Sequence, residues 1–266
     1  MAAYLDARAN AGRWILRIED LDRPREVPGS AEGILRTLEA FGFEWDGEVT
    51  RQSRRADRYA DALKDLQGRD QTFQCSCSRL QLSADDRYPG TCREQPAAAG
   101  PTATRLCVEP GRILFTDRIQ GAYRQDVAAA VGDFIIKRRD GAFAYVLAVV
   151  VDDAAQGVNH VVRGADLLDN TPRQIYLQRL LGLILPAYAH VPVLTEPDGG
   201  KLAKSSRSVR LDTRSVLPQL IKVFDLLGLA PPASMAQATI GEAWTWAVRR
   251  WDPKLVPKRL ALPIGS

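Results

Sequence analysis

Along residues 1–74 the hydrophobic positions switch between helical spacing and short unbroken apolar runs. Met1–Ala11 is rich in strong helix formers and Gly12 closes it, although no Ser, Thr, Asp or Asn precedes it as a cap. Arg13–Ile18 centres on Trp14-Ile15-Leu16, which reads as a buried strand. Ser30 is placed to cap a helix whose Ile34, Leu35, Leu38 and Phe41 share one face, with Gly42 after it. Ser53 is placed to cap the next, with Tyr59, Leu63 and Leu66 inward and Gly68 as its stop. Such alternation predicts a mostly parallel sheet covered by helices, an α/β fold.

The pattern breaks between about 75 and 132. Cysteines, turns and the linker-like Pro96–Pro101 stretch come first, then short strands near Arg112–Thr116, so this segment reads as an insertion. Asp133–Arg138 resumes a strand, Asp140-Gly141 is a hairpin-type turn, and Tyr145–Val151 is a long apolar run. His160–Arg163 is another strand, and Thr171-Pro172 sets cap and first-turn proline ahead of a helix. Past residue 211 the chain is helical and proline-punctuated. Thr239 and Glu242 have capping-box spacing before a helix bearing Trp244, Trp246 and Val248. The expected layout is a catalytic-type domain in two halves, 1–74 and 133–210, an insertion at 75–132 and a helical region at 211–266.

Composition adds bounds rather than identity. The 266 residues, 45% apolar and 26% charged, have room for one large domain plus a smaller one. With neither an unbroken run of about eighteen apolar residues nor a basic-then-apolar leader pattern, a cytoplasmic protein with no membrane contact is expected. A net charge of +4 permits a polyanionic partner without requiring one. Four cysteines do not make a disulfide framework in a chain this long, but three of them cluster.

Five places carry candidate chemistry. Arg17–Arg25 reads R-I-E-D-L-D-R-P-R. Glu19 could hold a substrate ammonium while Asp20 and Asp22 pair with Arg17, Arg23 or Arg25; the alternative is a salt-bridged loop. Lys201-Leu-Ala-Lys204-Ser205, after Gly199-Gly200, could close over a phosphate chain, or could be a loop of solvated lysines. Arg163 ends an apolar strand and could grip a carboxylate with two prongs, or simply pair with Asp166 or Asp152. Tyr145 is either core or site, and its hydroxyl needs a partner if buried. Cys75-x-Cys77, Tyr88 and Cys92 supply three thiolates and a phenol, which suit a tetrahedral metal or equally a set of reduced structural thiols. Cys107 belongs with the core, and His160 and His190 read as structural.

Taken in order, R-I-E-D-L-D-R-P-R, F-A-Y-V-L-A-V-V-V-D-D (143–153), V-V-R-G-A-D-L (161–167) and K-L-A-K-S resemble the catalytic core of the class I glutamyl-tRNA synthetases over about residues 2–210. The Cys-x-Cys insertion and the short region after K-L-A-K-S narrow the resemblance to that family's short paralogues. These transfer glutamate to queuosine at the wobble position of tRNA(Asp). The resemblance implies a Rossmann-like catalytic domain with a zinc-stapled insertion, acting as a monomer on L-glutamate, ATP with Mg²⁺, and tRNA(Asp) bearing queuosine. It implies that Glu19, Tyr145 and Arg163 bind glutamate, that Lys204 meets the ATP phosphates with Lys201 supporting, and that Cys75, Cys77, Tyr88 and Cys92 hold a structural zinc.

Two departures accompany it. Val146 stands where a polar amide is expected. The family's pattern also places a strand and a glycine-containing loop, bearing the first signature histidine, ahead of the helix at Ala2–Arg8. Met1 is accordingly expected to be an internal methionine of a longer chain, and the chain as written to be a very weak catalyst. The competing readings are a tRNA-binding remnant without catalysis and a fragment of a glutamyl-tRNA synthetase.

Overall fold

The computed structural model describes residues 1–22, 26–78, 81, 87–95, 97, 99–196 and 211–264. Helix α1 (Ala2–Ala9) turns Tyr4 and Leu5 inward. Of the expected strand Arg13–Ile18, only β1 (Arg17–Ile18) pairs regularly. Trp14, Ile15 and Leu16 are half-buried because they line a cleft, while the Trp14 and Leu16 carbonyls still accept from Asp46 and Thr50. After α2 (Ser30–Ala40), β2 (Thr50–Arg51) runs parallel to β1.

Neither serine caps its helix. Gly29, left-handed at φ 79°, precedes α2, and Ser30 is already helical. Helix α3 (Ala56–Gly68) starts after Arg55, because Ser53 spends its backbone N–H and hydroxyl on Asp20. Tyr59, Leu63 and Leu66 are buried, as the periodicity predicts.

Next come β3 (Thr72–Cys75), the short α4 (Thr91–Glu94), β4 (Ala103–Leu106), the hairpin β5 (Arg112–Asp117) and β6 (Gly121–Asp126), α5 (Val127–Ala130) and β7 (Ile135–Lys137). Strands β3, β4 and β7 form an antiparallel sheet. The apolar run after the hairpin-type turn is helix α6 (Tyr145–Ala155), whose Leu147, Ala148, Val149 and Val150 are all buried. An apolar run of this kind suits a helix packed between others, here α3 and α7, and periodicity cannot separate that from a buried strand.

A βαβ unit follows: β8 (His160–Gly164), α7 (Thr171–Leu180) and β9 (Ala187–Val191), with β8 parallel to β9. Thr171 does not cap α7; Asn170 precedes the helix and Thr171 is its first residue, beside Pro172. Strand β10 (Val193–Thr195) pairs in parallel with β11 (Ala261–Pro263), across α8 (Val216–Leu226) and α9 (Ile240–Arg250). The Thr239–Glu242 capping box is fully formed. Among the described residues the pairs β1–β2, β8–β9 and β10–β11 are parallel, each antiparallel strand pair includes a strand of the 75–132 insertion, and no sheet exceeds three strands.

Two apolar clusters hold these pieces. One joins α3, β4, β7, α6, α7 and β9 through Tyr59, Leu106, Ile136, Leu147, Leu177 and Tyr188. The other joins α1, α8 and α9 through Leu5, Phe43, Leu220, Phe224, Trp244 and Trp251. Tyr4, Phe43 and Trp244 meet with ring centroids 4.8–5.1 Å apart, and the Trp244 indole donates to the Phe41 carbonyl at 2.8 Å. Gly42 is required here, since at φ 75° a Cβ would lie 2.7 Å from Ile240 Cγ2. Asp6 on α1 accepts two bonds from Arg118 (2.7 and 3.0 Å) and one from Trp251 (2.9 Å). Among the described residues no helix is long and apolar enough to cross a membrane.

Candidate active site and thiol cluster

A cleft of about 690 Å³ opens between α1, the 12–19 segment, the Tyr145–Val149–Asp153 face of α6, and β8, and Glu19, Tyr145 and Arg163 all line it. The parallel pairing that ends at Ile18 delivers Glu19 to the cleft. Its carboxylate lies 3.2 Å from Arg17, which also meets Asp153 and Gln156 at 2.8 Å. Burial disfavours the Arg17 charge, but Asp153 and Glu19 more than offset it, so its pKa is raised. Burial pushes the Asp153 carboxyl up, with Arg17 pulling the other way. Asp20 is turned to Ser53 and to Arg51 at 3.9 Å; burial opposes its charge, yet the Ser53 hydrogen bonds hold its pKa down. Asp22 pairs with Arg138 at 3.4 Å. Arg23, Arg25, Lys201 and Lys204 lie outside the described residues.

Tyr145 opens α6, where burial of its phenol, followed by the negative charge of Glu19, pushes its pKa up. Val146 packs against the core cluster that contains Leu147. Arg163 pairs with neither Asp166 nor Asp152. Its Nε donates to His190 Nε2 at 3.1 Å, and its Nη2 donates to the Thr171 hydroxyl at 2.8 Å and the Leu167 carbonyl at 3.4 Å. Asp152 is fully buried and accepts from Gln52 (3.0 Å), Arg55 (2.5 Å) and Tyr59 (2.7 Å).

Sequence reasoning missed Asp117, Asp153, Thr171 and His190. For His190 a signal existed: once residues 187–191 are read as the strand returning from α7, parallel pairing puts His190 beside Arg163. His160 is exposed, its Nδ1 3.1 Å from the Asn159 side-chain oxygen.

Cys75 ends β3 and Cys92 lies on α4, and with Cys77 their sulfurs all fall within 4.8 Å of one another. Cys77 and Cys92 are 3.4 Å apart. The buried Tyr88 hydroxyl accepts from the Cys92 N–H at 2.7 Å. Burial opposes the Cys92 thiolate, but hydrogen bonds from Ser76, Cys77, Tyr88 and Cys75 bring its pKa down to about 6. Guanidiniums flank the cluster: Arg105 lies over the Tyr88 ring at 3.9 Å, and Arg139 donates to the Ser76 and Cys77 carbonyls. Three convergent thiols beside a phenol, with cations around them, fit a tetrahedral zinc ion. Cys107 stands apart and is half-buried rather than core.

Residues 1–231 match the family described as tRNA synthetases class I (E and Q), catalytic domain, and the chain belongs to that family. Within it, the chain is 50% identical over 264 residues to a protein of Pseudomonas fluorescens and 51% identical over 264 residues to one of Pseudomonas aeruginosa. Each alignment spans 99% of this chain and 89% or 90% of the relative, and both relatives are named glutamyl-Q tRNA(Asp) synthetase. The fold matches a crystal structure of glutamate-tRNA synthetase from Elizabethkingia anophelis with a TM-score of 0.78 at 23% identity, over 100% of this chain and 64% of that one.

Proposed function

We propose that this protein activates L-glutamate with ATP and transfers it to the queuosine base at the wobble position of tRNA(Asp). The observation that carries this reading is the cleft that gathers a carboxylate, a phenol and a guanidinium, Glu19, Tyr145 and Arg163, in a chain half-identical to synthetases so named. Free glutamate presents an ammonium and two carboxylates, and such a site complements it. Glu19 binds the α-ammonium, and Tyr145 and Arg163 hold carboxylate oxygens.

The α-carboxylate then attacks the α-phosphorus of ATP, expelling pyrophosphate and leaving glutamyl-adenylate. A queuosine hydroxyl attacks the acyl carbon, and AMP leaves. Lys204, supported by Lys201, neutralises the phosphate charge, and Mg²⁺ arriving with ATP would share that charge. Cys75, Cys77, Tyr88 and Cys92 would hold a structural zinc ion that staples the 75–132 insertion, which interrupts the catalytic segments at 1–74 and 133–210 ahead of the helical region at 211–266. The protein works in the cytoplasm as a monomer. The names of the relatives favour this reading over a fragment of a glutamyl-tRNA synthetase.

Glutamate-dependent ATP–pyrophosphate exchange without tRNA tests the first step, and labelling of tRNA(Asp) with and without queuosine tests the second. Exchange, followed by labelling of the queuosine-bearing tRNA alone, is expected. Absence of exchange in a full-length, zinc-loaded preparation, or equal labelling of both tRNAs, overturns the proposal.

A further inference from the structure

Arg163 and His190 are partners in the β8–β9 register, and the hydrogen bonds between them leave one protonation pattern. Arginine has N–H donors and no acceptor. Arg163 Nε therefore needs a lone pair on His190 Nε2, 3.1 Å away. The ring proton is left on Nδ1, which is 2.6 Å from Asp117 Oδ2. His190 is thus the neutral Nδ1–H tautomer, donating to Asp117 and accepting from Arg163.

Both His190 and Asp117 side chains are fully buried. Asp117 cannot swing, because its Oδ1 also accepts the backbone N–H groups of Ile119 (3.0 Å), Gln120 (2.8 Å) and His190 (3.1 Å). The hairpin tip that carries Asp117 is tied along β9: Arg118 N–H donates to the Tyr188 carbonyl at 2.8 Å and the Gln120 amide donates to the His190 carbonyl at 2.8 Å. On the other side, Thr171 accepts from Arg163 Nη2 at 2.8 Å, and its own proton has two acceptors in reach, His190 Nε2 at 3.2 Å and the Leu167 carbonyl at 3.3 Å. Nε and Nη2 are spent inside the fold, whereas Nη1 makes no hydrogen bond among the described residues and belongs to a cleft-lining side chain.

We propose that Asp117, His190 and Thr171 are positioning residues for amino-acid binding, which aim Arg163 so that Nη1 meets the substrate carboxylate. The proposal rests on the reading of Arg163 as the carboxylate-binding group, and it adds that the 112–126 hairpin shapes amino-acid affinity without touching substrate. Preorganisation of this kind acts on binding, because a guanidinium free to rotate must be ordered each time substrate arrives.

His190→Leu removes the acceptor, and His190→Gln keeps one in reach. In the exchange assay His190→Leu should raise the KM for glutamate roughly ten- to a hundredfold, with the KM for ATP within about twofold and kcat changed much less. His190→Gln should recover most of that loss. Arg163→Gln is the control on the underlying reading: an unchanged glutamate KM in that variant refutes Arg163 as the carboxylate-binding group. A raised KM in Arg163→Gln alongside an unchanged one in His190→Leu refutes the positioning role alone. Should His190→Leu fail to fold, ¹⁵N spectra of the unmodified protein decide the matter. A proton on His190 Nδ1 and a bare Nε2 are expected, and a proton on Nε2 overturns the proposal.

Discussion

Helix α6 carries adjacent carboxylates with opposite duties: Asp153 lines the cleft, while Asp152 faces α3 and anchors the helix. Tyr59→Phe tests that anchor by deleting one oxygen. The Tyr59 phenol is fully buried, and burial followed by its hydrogen bond to Asp152 pushes its pKa far above the ordinary value. A hydrogen bond to a charged acceptor contributes about 1.5–3 kcal/mol. Arg55 and Gln52 remain on Asp152 after the change, so the lower half of that range applies, about 1.5–2 kcal/mol. For a chain of this size that is a fall in Tm of roughly 3–8 °C. Urea unfolding should show a lower midpoint at unchanged slope, and the glutamate KM should hold because Asp152 lies outside the cleft lining. Asp152→Asn should cost more, about 3–5 kcal/mol, because it strips the charge from Arg55 and turns an N–H toward donors. In the double variant the two losses should overlap by at least about 1 kcal/mol. A Tyr59→Phe loss below about 0.5 kcal/mol, or simple additivity, would refute the anchoring argument.

Three further outcomes are expected. Cys75→Ser should lose zinc and loosen residues 75–95 with ATP affinity retained, and metal analysis finding no zinc in the parent protein would end that claim. Glu19→Gln should raise the KM for glutamate roughly tenfold or more with the ATP KM unchanged; an unaltered glutamate KM removes Glu19 from the site. Burial works against the Asp6 charge, but the Arg118 and Trp251 hydrogen bonds prevail and its pKa is depressed. The stability this contributes is complete above the unfolded value of about 3.9 and is lost as pH falls through the lower folded one. Unfolding midpoints of the parent should therefore fall more steeply in acid than those of Asp6→Asn, and parallel curves would refute this.

What the chain discloses without its structure divides by the range of the interaction. The Thr239–Glu242 capping box closes within one turn, and Tyr59, Leu63 and Leu66 need only a face. Both are legible. Ser53 and Thr171 fail as caps because distant partners, Asp20 for one and Arg163 for the other, claim their hydroxyls. The α6 run is ambiguous for another reason: its enclosure by α3 and α7 erases the amphipathic stripe that marks a helix. Within the site, Glu19, Tyr145 and Arg163 stand out by residue type at element ends. His190 does not, because its role depends on a strand register and on a hairpin 73 residues earlier.

The three bonds on Asp6 also set an order of events in time. Trp251 lies 245 residues beyond Asp6, so at about 5–20 residues per second a ribosome needs roughly twelve to fifty seconds to supply it. Through that interval Tyr4 and Leu5 lack the aromatic bed that Phe224 and Trp244 later provide. Since α1 is one wall of the amino-acid cleft, that wall is fastened only when the nascent chain has passed residue 251. Helix α1 leaves the ribosome well before α8 and α9, yet it is locked only with them.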